Sequence, residues 1–158
     1  MPTELHDNLA NLGAKWLKRQ GFGVVTTDLT ALGVRERADA IGFRSTCSTI
    51  IESKISRADF LKDSKKPHRA SGGLGLYRFY ICPIDLIQPD ELPSKWGLLY
   101  AEGKTVIEIV RPLGNMWPGH GTTHQEWSMF QHETSFEAER SILFSISRRL
   151  AQGKVILK

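Results

Sequence analysis

Residues 37–54, RADAIGFRSTCSTIIESK, limit what this chain can fold into more than any other stretch. Two β-rich apolar runs, ADAIGF (38–43) and STIIESKI (48–55), flank the short polar linker Arg44-Ser45-Thr46-Cys47, the pattern of a hairpin. Charged residues stand inside these runs: Asp39 opens the first, and Glu52 and Lys54 close the second. Charges are rarely buried unless they pair or hold a metal, so their presence on strands needs a reason.

Around the hairpin the pattern alternates. Leu5, Leu9, Leu12 and Trp16 recur at helical spacing, predicting a helix over 3–20 that Gly21 and Gly23 end. Residues 23–28, GVVTTD, read as a strand. Ser56 with Asp59 three residues on makes a capping box for a helix that runs to about Lys66 and stops at Pro67. Leu76–Cys82 is a strand, and Gly97–Tyr100 with Lys104–Val110 a second hairpin. After a long loop over 112–133, Thr134 and Glu137 cap a last helix over about 135–152, with Leu143, Ile146 and Leu150 on one face.

This order predicts one α/β domain over 1–158, a three-layer sandwich whose mixed central sheet is covered by helices. Its core spans about 3–111. A chain of 158 residues with 41% hydrophobic content is long enough for such a core. No stretch approaches the ~20 apolar residues of a membrane span. The beginning of the sequence lacks a secretory pattern, and the two cysteines, Cys47 and Cys82, read as buried thiols, so a reducing cytoplasm is the expected location.

The net charge of +4 is concentrated. Residues 1–70 hold 12 Lys/Arg against 8 Asp/Glu, and the rest of the chain holds 9 of each. Much of the excess lies in KISRADFLKDSKKPHR, just after the acidic run, and suits a polyanionic partner.

Three carboxylate-x-Lys patterns occur: Glu52–Lys54, Asp63–Lys65 and Glu102–Lys104. Asp63 and Lys65 fall at a helix end and Glu102 and Lys104 flank a glycine turn, where exposed charge is ordinary. Only Glu52 and Lys54 continue an apolar strand, on one face and ~7 Å apart. One hairpin register brings Asp39 to that face; a one-residue slip removes it. Two carboxylates, with the Ser53 carbonyl, would suit Mg²⁺ or Mn²⁺, and an adjacent ammonium could serve a water attacking a phosphodiester. The plainer reading is a structural Glu52–Lys54 ion pair.

At these residues the chain resembles the PD-(D/E)XK nuclease superfamily, and more closely the MmcB family of DNA-repair nucleases. The likeness rests on Arg37-Ala38-Asp39, Glu52-Ser53-Lys54, Ser56-Arg57-Ala58-Asp59-Phe60, Tyr77-Arg78-Phe79-Tyr80, and Glu91-Leu92-Pro93 followed by Gly97-Leu98-Leu99. It covers roughly residues 8–111 and the last helix. The resemblance implies an αβββαβ core, metal at Asp39 and Glu52, and catalysis at Lys54. It also implies a DNA backbone near Arg57, Lys62, Lys65, Lys66 and Arg69. Many members add an acid from the first helix. Glu4 is the expected one, since Leu5 belongs to the buried stripe and Asp7 points away. A homodimer or protein partner is also expected of such nucleases.

Two other classes compete: a non-catalytic DNA-binding module on the same fold, and a structural protein in which the charges are a plain ion pair. Elsewhere, His120, His124 and His132 lack zinc-ligand spacing and read as a solvated loop. Trp117 and Trp127 are expected to pack onto the core. Neither cysteine has a histidine-paired motif for thiol chemistry.

Overall fold

A computed structural model describes residues 4–29, 37–63, 65 and 72–154. It contains a first helix α1 (Glu4–Arg19), strands β1 (Val24–Leu29), β2 (Ala38–Phe43) and β3 (Ser48–Ser53), and helix α2 (Arg57–Asp63). Strands β4 (Tyr77–Pro83), β5 (Trp96–Glu102) and β6 (Thr105–Val110) follow, then a short α3 (Gln125–Ser128) and the final α4 (Phe136–Ala151). The first six elements are the expected αβββαβ series.

The strands form one six-stranded mixed sheet in the order β1-β2-β3-β4-β5-β6. Neighbours β1–β2, β2–β3 and β5–β6 are antiparallel; β3–β4 and β4–β5 are parallel. Parallel neighbours need a crossover, and α2 lies in the first of them. Helices cover both faces, giving an α/β three-layer sandwich.

One apolar cluster joins Leu9, Ala14, Trp16 and Leu17 of α1 to Ala40, Ile51, Phe79 and Leu99 of the sheet. Trp117 and Trp127 of the 112–133 loop are buried in it, as expected, with rings 5.0 Å apart. Ile142 and Ile146 of α4 and Phe60 of α2 pack on the other face, against Ile41, Ile50 and Tyr80.

The end of α1 follows its glycine. Gly21 adopts φ 92°, the left-handed region it enters without penalty. Its N–H bonds the Lys18 carbonyl and the Phe22 N–H bonds that of Leu17, the two bonds of a Schellman cap. The predicted stripe of α1 is shifted, however. Leu5 is 48% exposed, and the buried side is Leu9, Ala10, Gly13, Ala14, Trp16 and Leu17.

The final helix differs in the same way. Ser135, not Thr134, is its N-cap, accepting the Ala138 N–H. Its buried side is Glu139, Ile142, Ser145 and Ile146, while Leu143 and Leu150 are exposed. Glu139 is what draws the helix down on that side. Its carboxylate accepts from Ser48 Oγ at 2.6 Å and from the Gly75 N–H at 2.7 Å. Desolvation holds its pKa above the ordinary value, against these bonds.

Candidate functional site

The register between β2 and β3 decides which side chains can meet. Ala40 pairs with Ile51 and Ile41 with Ile50. Beyond the first of these pairs β2 continues to Asp39 and β3 to Glu52, which by strand alternation takes the face of Ile50. Lys54 shares this parity two positions on, while Ser53 faces the opposite side.

Beyond the Ala40–Ile51 pair the two strands fork. The Ser53 N–H donates to Asp39 Oδ2 at 2.8 Å, so a carboxylate stands where a strand carbonyl would otherwise accept. A strand residue's N–H and carbonyl face the same neighbouring strand, so the Ser53 carbonyl lies on this edge too. The structure thus brings Asp39, Glu52 and the Ser53 carbonyl to one fork.

Lys54 continues the parallel ladder, its N–H donating to the Ile81 carbonyl at 3.0 Å. Its side chain is 4% exposed, and its ammonium lies 3.0 Å from Asp63 Oδ1 and 3.9 Å from Asp59 Oδ1. Asp63 also accepts from the Tyr80 hydroxyl, at 2.6 Å. Tyr80 is in turn the register partner of Glu52. A buried chain therefore runs from Tyr80 through Asp63 to Lys54.

Here the sequence reading needs correction. Asp63 is not an exposed helix-end charge but fully buried, and it is the acid that grips Lys54. One signal was available: Phe60 and Asp63 lie three apart on α2, so a helix that buries Phe60 against the sheet buries Asp63 with it. Asp59 keeps its predicted local role, its N–H donating to Ser56 Oγ at 3.1 Å, and adds the longer contact to Lys54.

On α1, Glu4 is exposed in the first turn and Asp7 is 64% exposed. From that helix His6 reaches Asp39. Its Nε2 is 3.3 Å from Asp39 Oδ1, and its Nδ1 is 3.6 Å from Asp7 Oδ1.

The basic set divides. Lys62 and Lys65 are exposed. Arg57 is exposed but already matched: its guanidinium holds Glu91 through two bonds of 2.7 and 2.5 Å and donates to the Leu86 carbonyl. The bonds to Arg57 pull Glu91 down to about 2, and Glu91 raises Arg57 above its usual value. Lys66 and Arg69 lie outside the described residues.

Neither cysteine belongs to a reactive site. Both are buried, and desolvation pushes Cys47 and Cys82 up to about 11. His120 contacts Thr134 Oγ1 and His132 the Lys95 carbonyl.

The donor chemistry at the fork suits a hard divalent cation. Asp39 and Glu52 bring carboxylate oxygens to the fork, and Asp59 and Asp63 are engaged with Lys54. All the donors are oxygen, the preference of Mg²⁺, which keeps several waters and takes only one or two carboxylates from a protein. Among the described residues no three His, Cys, Asp or Glu side chains form a metal cage. A two-carboxylate magnesium site does not require one.

Comparisons with known proteins speak to the fold alone. No family model matches the chain, and no curated protein matches it. A solved structure, a protein of unknown function from Silicibacter pomeroyi, is similar over 100% of both chains, with a TM-score of 0.61 and 20% sequence identity. Among the described residues no helix is long and apolar enough to cross a membrane.

Proposed function

We propose that this chain is a metal-dependent nuclease of the PD-(D/E)XK type, nearest the MmcB family, that hydrolyses phosphodiester bonds in DNA during repair or processing in the cytoplasm. The observation that carries the reading is the fork itself: Asp39, held by the Ser53 N–H, next to buried Glu52, with buried Lys54 two residues further along β3's line.

In this reading Asp39 and Glu52 hold Mg²⁺ or Mn²⁺, with the Ser53 carbonyl as a further oxygen. The Ser53 N–H fixes the rotamer of Asp39 through Oδ2, and lone pairs remain on the carboxylate for a cation. Bound there, the ion lowers the pKa of a water and neutralises charge on the scissile phosphate. Lys54 has three donors, and its bond to Asp63 leaves others for the attacking water or a phosphoryl oxygen. Held by a buried acid, the ammonium needs little reorganisation when charge develops on the phosphate. Lys62 and Lys65 would meet the DNA backbone without reading sequence. Arg57 has a smaller part in this, because binding phosphate would cost it Glu91.

A structural role for the charges has its own support in the Lys54–Asp63–Tyr80 chain, which would exist without any substrate. One experiment separates the readings. Plasmid, single-stranded and branched DNA are incubated with protein in Mg²⁺ or Mn²⁺ and in EDTA, beside Asp39→Asn and Lys54→Ala. Metal-dependent cutting that falls by about 10²–10³-fold in Lys54→Ala supports the nuclease. Salt-sensitive DNA binding without cutting would favour the binding module, and neither would favour the structural role.

A further inference from the structure

We propose that His6 is a ligand of the ion held at Asp39, which makes the site one for Mn²⁺ in preference to Mg²⁺. The inference rests on the metal-site reading above and adds to it a nitrogen donor, and with that donor a choice of metal.

The first helix is arranged to deliver this residue. Its buried side includes Leu9, Ala10 and Gly13, and His6 lies three, four and seven residues before them, on the same stripe. Gly13 lets the helix ride close over β3, since an added Cβ there would lie 3.0 Å from Ile51 Cγ2. From that crossing, His6 is seven residues back along the helix, about 10 Å. Two residues on from Ile51 along β3 is Ser53, whose N–H holds Asp39. Packing therefore carries the imidazole to the fork, where it is 21% exposed.

The geometry at Asp39 gives it a task. Ser53 donates to Oδ2, which leaves Oδ1 as the oxygen better placed for a cation, and His6 Nε2 stands 3.3 Å from Oδ1. Two ligands about 2.1 Å from one ion lie about 3.0–3.4 Å from each other at an octahedral or tetrahedral angle. The pair already has the spacing of one edge of a coordination shell. On the far side of the ring, Asp7 Oδ1 is 3.6 Å from Nδ1. That is too long for a good hydrogen bond, but a carboxylate on this side favours the proton on Nδ1, and Nε2 then presents its lone pair. A carboxylate beyond the second ring nitrogen is the usual companion of a metal-bound histidine.

An imidazole changes which ion fits. Mg²⁺ takes oxygen donors, whereas imidazole nitrogen binds first-row transition ions. With Asp39, Glu52 and the Ser53 carbonyl, His6 makes a mixed oxygen and nitrogen set, and water completes the coordination.

Electron spin-echo envelope modulation of the Mn²⁺-loaded full chain tests this, because a nitrogen bound to manganese modulates the echo. Wild type should show nitrogen modulation. His6→Ala should lose it and bind Mn²⁺ at least about tenfold more weakly, while Mg²⁺ affinity, read by competition against Mn²⁺, changes by less than about threefold. His6→Gln, which keeps an amide donor for Asp39, should behave like His6→Ala. Recovery of wild-type Mn²⁺ affinity in His6→Gln would overturn the proposal, since His6 would then only hydrogen-bond Asp39. Manganese bound to wild type without nitrogen modulation would overturn it too, and would leave the carboxylate site standing. Manganese that does not bind wild type at all would overturn both.

Discussion

Lys54 and Asp63 carry most of what single residues decide in this molecule. Both are almost fully buried and they bond at 3.0 Å, so removing one takes a buried counter-charge from the other. Asp63→Ala should therefore cost about 3–5 kcal/mol of stability, read from urea unfolding. Tyr80→Phe, which takes one neutral donor from the same carboxylate, should cost about 1–3 kcal/mol. Equal, small losses in both would mean that the chain is not coupled in the fold. Asp39, Glu52 and Lys54 were legible in the sequence, because charge on an apolar strand is conspicuous. Asp63 was not, since a carboxylate at a helix end normally faces water and its burial depends on how α2 meets β4. His6 escaped notice for a related reason: its approach to Asp39 is set by where α1 crosses the sheet. The thiols make a separate prediction. Folding raises Cys47 and Cys82 to about 11, above their unfolded values, so their contribution is complete below about pH 8.5 and is lost as pH rises toward 11. Thiol-reactive dye at pH 8 should label neither until denaturant unfolds the chain; prompt labelling of the native protein would contradict their burial.

At the scale of elements, close approaches set where the layers sit. An added Cβ on Gly97 of β5 would lie 2.2 Å from Phe79 Cε2, and Phe79 is buried between the sheet and α1. Gly97→Ala should cost about 1–3 kcal/mol or more, because a packed ring has to move. An unchanged urea midpoint would show that the layer can relax. The β2 strand was read from sequence with its observed limits, and the others within a residue or two, because their apolar runs are short and bounded by turn residues. Helix faces were read less well. Leu5, Leu143 and Leu150 look like core residues by periodicity, yet they are exposed, since a leucine can serve a strip the sheet does not reach. Glu139 shows the converse: a carboxylate on the buried face, tolerated because Ser48 and Gly75 donate to it. Its electrostatics are local, as are those of Arg57 and Glu91. Glu91, held near 2, contributes stability above its unfolded value of about 4.3 that disappears as pH falls toward 2. The melting temperatures of wild type and Glu91→Gln should differ by a steady, small amount from about pH 5 to 7 and converge by about pH 2. A gap that persists at acid pH would place the effect outside the ion pair.

For the whole molecule, the mixed sheet aligns its fork, the α2 acids and the N-terminal turns of α1 at one end of β2 and β3. The hairpin linker, Arg44–Cys47, lies at the other end of the same strands. That division makes the fork a place where a cation and a phosphate could be added without disturbing the packed core. The most direct measurement is a Mn²⁺ titration followed by electron paramagnetic resonance, with and without duplex DNA. Wild type should bind Mn²⁺, more tightly when DNA is present. Asp39→Asn and Glu52→Gln should each weaken binding by at least about tenfold, whereas Glu137→Gln, exposed at the start of α4 near the Ser48 end of β3, should not. Manganese that fails to bind wild type in either condition, or binds all three variants alike, would contradict the account.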